Sequence, residues 1–218
     1  MTLLSILVFG FFLGMRHATD ADHVIAVSTI VSRQRHNRSA VMTGIFWGIG
    51  HSITLLFVGG AIILFGIVIP ERLGLSLELC VALMLILLGA LNLRAAFGAL
   101  RKARTEIHGE EFHDHRTSRA LRPTIIGVTH GLAGSAAVAL LVLPIVRDPV
   151  WGMMYLATYS VGTIIGMMMI TATIALPLSY VGRFGCFHRH LGTAAGLVSL
   201  SFGLFLVYQI GFVDGLFH

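Results

Sequence analysis

Charge is what this sequence has least of. Only 11% of its 218 residues are Asp, Glu, Lys or Arg, against about 25% in a soluble domain. A water-facing exterior needs those charges, so a soluble globular fold is excluded. The 56% hydrophobic content and mean hydropathy of +0.88 indicate an all-α chain that crosses a bilayer repeatedly. Lysine is nearly absent. Lys102 is alone and follows no Gly-x-x-x-x-Gly, which excludes a phosphate-binding loop and with it an ATP-driven pump in this chain. The two cysteines, Cys80 and Cys186, lie far apart in or near apolar segments, so neither a disulfide framework nor a Cys-based zinc site is expected.

Six windows are long and apolar enough to span: 3–31, 40–69, 75–98, 123–146, 150–178 and 190–211. The first has no basic residues before its apolar run and leads into charged residues rather than a cleavage site, so it reads as a membrane helix and not a signal peptide. Twelve of the fifteen basic residues fall on alternate connections, only Arg16, Arg72 and Arg147 lying elsewhere. By the positive-inside rule those connections are cytoplasmic and both termini face outward, as in an integral protein of a prokaryotic cytoplasmic membrane. The pI of 9.9 therefore reflects orientation in the lipid bilayer, not a nucleic-acid partner. The segment 99–122 carries His108, His113 and His115 among acids. It reads as a His-rich cytoplasmic loop between a first membrane unit, 1–98, and a second, 123–218, of a single membrane domain.

The two units echo each other. Gly14, His17, Ala21 and Asp22 recur as Gly127, His130, Gly134 and Ser135 at an offset of 113. Gly44, Trp47, His51 and Ser52 recur as Gly152, Tyr155, Tyr159 and Ser160 at an offset of 108. Three helices per copy invert the second relative to the first, the arrangement of many transporters. The expected fold is thus about six transmembrane helices in two inverted three-helix repeats.

One stretch departs from the apolar background. Gly14-Met15-Arg16-His17-Ala18-Thr19-Asp20-Ala21-Asp22-His23 sits in the middle of the first window. Arg or Asp facing lipid near the bilayer centre costs roughly 2.5–3.5 kcal/mol, so these groups should turn inward to partners or to a cation. Two readings stand beside each other. A buried salt-bridge network of Arg16 with Asp20 or Asp22 would lock helices but leaves two histidines without a role. A metal site uses everything. His17, Asp22, His23 and His51 offer imidazole and carboxylate, a set suited to nickel, cobalt, zinc or iron. Asp20, His130, Ser52 and Ser135 are placed to support it. On a straight helix at 100° per residue, His17, Asp20 and His23 share a 120° arc and Asp22 points about 140° from His17. Either Asp20 is the ligand, or the helix unwinds near Gly14–Thr19 so that His17 and Asp22 converge.

Arg16-His17-Ala18-Thr19-Asp20-Ala21-Asp22-His23-Val24 resembles the signature of the nickel/cobalt transporter family, and Phe46-Trp47-x-x-Gly50-His51-Ser52 resembles its second motif. The resemblance implies metal-binding positions at His17, Asp22 and His23 supported by His51, and favours the unwound helix. Acids that the family carries further on have no counterpart here, and the chain is more similar to a short branch that includes urease-associated nickel permeases. What this implies is transport of Ni2+ or Co2+ with no prosthetic group, no enzymatic activity, and a cytoplasmic metal acceptor as partner. Alternatives from other classes are efflux instead of uptake, and a membrane metal oxygenase using His113, His115, His188 and His190. A mobile loop is a poor platform for an oxygenase centre.

Overall fold

The computed structural model describes the backbone of residues 3–32, 34, 37–67, 69–104, 116–142, 148–181 and 185–217. Side chains are described for these residues except 3, 37, 99–104, 116–119, 135–142, 178–181 and 185–189. The described secondary structure is entirely helical: α1 Leu3–His17, α2 Ala21–Val31, α3 Asn37–Phe65, α4 Glu71–Arg104, α5 Arg116–Val142, α6 Pro149–Val181 and α7 Gly185–Tyr208, with a π-helical turn at Gln209–Val213. Among the described residues, four segments are long and apolar enough to cross a membrane: Arg38–Phe65, Glu71–Gly98, Pro149–Pro177 and His190–Val213.

Among the described residues the six windows hold seven helices, because the first window is two helices and not one. Two short turns end α1: the Thr19 amide donates to Arg16 O at 2.8 Å, and the Asp20 amide to His17 O at 3.0 Å. The Thr19 hydroxyl adds a second bond to Arg16 O at 2.5 Å. Asp20 then turns extended, with φ −61° and ψ 147°, and its carbonyl accepts the Val24 amide that opens α2. An Asp in this position usually caps the new helix with its carboxylate. Here that carboxylate is engaged elsewhere, and the Asp22 side chain bonds the His23 amide instead, at 3.0 Å.

Helices meet through glycine, as close approach of membrane helices requires. α1 lies along α6 and α5 along α3, α3 crosses α6, and α4 pairs with α7. A Cβ on Gly14 would run into the Tyr159 carbonyl of α6, and one on Gly127 into the Trp47 carbonyl of α3. The same holds for Gly162 against the Phe11 carbonyl and Gly50 against that of Thr124. These two contacts between α1 and α6 thus have counterparts between α5 and α3. Between α4 and α7, Ser199 Oγ donates to Leu85 O at 2.8 Å and Asn92 Nδ2 to Gly192 O at 3.0 Å.

α2 belongs with α4 and α7. Asn92 Nδ2 also reaches Thr29 O and Ser32 Oγ, each at 3.3 Å, and Thr29 Oγ1 donates to Ala195 O at 3.3 Å. Outward, Leu83, Leu87 and Leu91 form an exposed apolar stripe along α4, a surface that suits lipid tails and not water. The helical arms of α4 and α5 reach to Arg104 and from Arg116, so the flanks of the expected 99–122 loop are helix. His108, His113 and His115 lie outside the described residues.

Candidate metal centre

The break between α1 and α2 brings residues of four helices to one place. His17 ends α1, Asp22 and His23 open α2, His51 comes from the middle of α3, and His130 from α5. The His23, His51 and His130 side chains are buried, with relative exposures of 1%, 0% and 2%. Ring centroids separate His23 from His17 by 4.6 Å, from His51 by 5.3 Å and from His130 by 4.1 Å. Glycine makes the room: Gly131 packs against the backbone of His51, and Gly134 faces the rings of His17 and His51.

The carboxylates set the rings. His17 Nδ1 lies 2.8 Å from Asp20 Oδ2. A carboxylate only accepts, so Nδ1–H donates and Nε2 is left with a bare lone pair. His23 Nδ1 sits 3.2 Å from Asp22 Oδ1, and His130 Nε2 donates to Asp22 Oδ2 at 2.8 Å. Both acids therefore take histidine partners, while Arg16 is exposed. Among the described residues, His17 Nε2, His23 Nε2, both nitrogens of His51 and His130 Nδ1 are buried without a hydrogen-bond partner. Buried polar atoms are ordinarily satisfied. Several bare imidazole nitrogens in one place, with carboxylates behind the rings, is the arrangement that holds a metal ion.

Two sets have ligating atoms within 4.8 Å of one another: His17 with His23 and His51, and Asp22 with His23 and His130. The cluster holds His17, Asp22, His23, His51 and His130, and Asp20 is hydrogen-bonded to it. Ser52 stands apart: its hydroxyl donates to Ser160 O at 3.2 Å in the contact between α3 and α6. Ser135 belongs to α5, but its side chain is outside those described, as is that of His188, and His190 is exposed. The walls were not anticipated. Trp47 stacks on His23 at 6.3 Å and meets His130 edge-on at 5.8 Å, and the Tyr159 ring lies 5.8 Å from His17. Both aromatics stand in the paired sequence motifs, where their ring character alone gave no role.

The sequence model for high-affinity nickel-transport proteins matches residues 3–172, which include every member of the cluster. The chain belongs to that family. It is an integral membrane protein of the family, and its function is transmembrane transport of nickel as Ni2+, which is substrate and not cofactor. It is similar to a protein named "Urease accessory protein UreH" from Bacillus sp. (strain TB-90), 36% identical over 218 residues covering 99% of this chain and 96% of the relative. It is also similar to a "High-affinity nickel transport protein" from Cupriavidus necator, 30% identical over 113 residues, 47% of this chain and 32% of that one. No solved structure matches.

Proposed function

We propose that this nickel-transport family member carries Ni2+ through the His17, Asp22, His23 and His51 cluster, with Asp20 and His130 in support. The observation that carries this reading is the convergence of bare imidazole nitrogens at a helix break inside an apolar bundle. Imidazole suits nickel and cobalt alike, so Co2+ is a second substrate. Uptake is the direction, since a high-affinity site suits collection of a scarce ion from dilute solution.

The chain is a single membrane domain of two inverted repeats. The support is the paired contacts: Gly14 on Tyr159 answers Gly127 on Trp47, and Gly162 on Phe11 answers Gly50 on Thr124. Both termini face outward from a prokaryotic cytoplasmic membrane, which rests on the arginine distribution. The ion then leaves toward the His108, His113 and His115 segment and a cytoplasmic acceptor.

Alternating access follows from how the ligands are divided. His17 and His51 stand on α1 and α3, which pack with α6, and His130 stands on α5, which packs with α3. Asp22 and His23 stand on α2, which Asn92 and Thr29 tie to α4 and α7. Movement of one group against the other pivots at residues 18–20 and pulls the ligand set apart. Counterflow of radiolabelled Ni2+ in proteoliposomes, with Co2+ and Zn2+ in competition, tests the reading. Uptake no faster than in empty vesicles would overturn it. Undiminished uptake by both His17→Ala and His23→Ala would overturn the site alone.

A further inference from the structure

The cluster holds more ligands than one ion uses. A first-row divalent ion keeps nitrogen and oxygen ligands at about 2.0–2.2 Å, so atoms around one ion stand within roughly 4.4 Å of each other. The five side chains do not form one such set. They gather in two slightly looser groups, each within 4.8 Å: His17, His23 and His51 in one, Asp22, His23 and His130 in the other. His23 belongs to both.

His130 is the residue that a single site leaves unexplained. Its Nε2 holds Asp22 at 2.8 Å, which a purely positioning role would satisfy. Its Nδ1 is buried with no hydrogen-bond partner among the described residues, on a ring 2% exposed whose centroid is 4.1 Å from that of His23. The Trp47 ring stacks on His23 and meets His130 edge-on, forming a wall beside both.

We propose that Asp22, His23 and His130 form a second metal station, and that a divalent transition-metal ion passes to it from the His17, His23 and His51 station across the shared His23 ring. This rests on the reading that the cluster carries the ion. The first station is all imidazole and neutral. The second replaces two imidazoles by one imidazole and a carboxylate, so the ion gains a charged partner as it loses His17 and His51. Two divalent ions on opposite nitrogens of the His23 ring, with one carboxylate beside them, would repel each other strongly at this depth, so the stations are filled in turn by one ion. The ion keeps a protein ligand throughout, so it changes station without regaining its full hydration shell. The stations also straddle the two helix groups: His130 stands with α3, while Asp22 and His23 travel with α2.

The test separates binding from movement. The full chain, purified in detergent, is dialysed against radiolabelled Ni2+. The same preparations are reconstituted for uptake, and bound Co2+ is followed by its visible spectrum. The unmutated protein binds one ion. His130→Ala keeps Ni2+ affinity within about threefold, yet transports at least about tenfold more slowly, a loss in the range that removing a metal-site residue produces. His130→Gln, whose amide can still donate to Asp22, transports as slowly as His130→Ala and elutes as the unmutated protein does, which guards against misfolding. In His17→Ala the bound Co2+ spectrum shifts toward oxygen ligation, as occupancy moves to the Asp22 station. Normal uptake by His130→Gln would reduce His130 to a hydrogen-bond donor and overturn the proposal. So would complete loss of binding in His130→Ala, or two ions bound at once. Absence of Ni2+ binding by the unmutated protein removes the whole cluster reading, a distinguishable failure.

Discussion

Asp22 and His130 are 108 residues apart in sequence, and their side chains meet at 2.8 Å across the space between α2 and α5. The contact joins the charged stretch to the residue that matches His17 in the proposed repeat. It also crosses from the helices held by Asn92 to α5, which packs on α3. A carboxylate shared by His23 and His130 fixes which nitrogen of His130 is bare, and so prepares the rings before any ion arrives.

Single replacements should grade by role. His17→Ala, Asp22→Ala and His23→Ala each abolish Ni2+ uptake at unchanged expression. Asp20→Asn loses about tenfold, the low end for a residue that orients a ligand, because the Asp20 side chain is 52% exposed and water can replace part of its bond. Initial uptake rates in proteoliposomes check both. An Asp20→Asn variant as dead as His17→Ala would make Asp20 a ligand in its own right.

Binding should be visible as stability. Ni2+ at a hundred times its dissociation constant adds about 2.7 kcal/mol to a protein that binds it only when folded. Thermal unfolding in detergent should therefore shift upward with Ni2+ and return on chelation. The shift should vanish in His23→Ala, which belongs to both ligand sets. A persistent shift in that variant would place the ion elsewhere.

The glycine contacts give a third expectation. Gly14→Ala or Gly127→Ala sets a methyl against a backbone carbonyl that cannot swing away, and overpacking of this kind costs about 1–3 kcal/mol. Gly74→Ala, with open space around its Cβ position, should be neutral or slightly stabilising through helix propensity. Unfolding midpoints of the three variants in one detergent decide the matter.

Asn92→Leu removes bonds to Thr29 O, Ser32 Oγ and Gly192 O in one step. Side-chain hydrogen bonds between membrane helices average about 0.6 kcal/mol, so the loss should be about 2 kcal/mol. Transport should fall further than stability does, because α2 is freed from the helices that move it. Equal loss of both on titrating temperature would assign Asn92 to stability alone.

The helical class and the chemistry of the site were legible because both are written in composition: apolar windows of spanning length, and ionisable residues where lipid forbids them. The break near Gly14–Thr19 was open from helix geometry and favoured only by the family resemblance. Apolar residues continue on both sides of His17–Asp20, and hydropathy does not register the Thr19 hydroxyl bond that ends α1. A straight helix would have sent Asp22 away from His17; the turn at 18–20 instead lets Asp20 back one ring and Asp22 two others. His130 was suggested by its match to His17, but its bond to Asp22 depends on how α5 meets α2, which no local pattern records. Repeat register was ambiguous for a plain reason. Matching Ser52 with Ser160 brings together two residues that touch, while the paired contacts match Gly50 with Gly162, a slip of about one helical turn that leaves every side chain on nearly the same face.

The split first segment bears on how the protein is made. α1 has 15 residues and α2 has 11, about 22 Å and 16 Å of helix, each short of the roughly 30 Å hydrocarbon layer. Neither is a stable span alone, and the surface that receives Gly14 is Tyr159 on α6, synthesised only after three further helices have emerged. Until then the charged turn has no groove to settle into. The packing surface of α1, and with it the final seat of the His17 turn, is therefore completed late in biosynthesis.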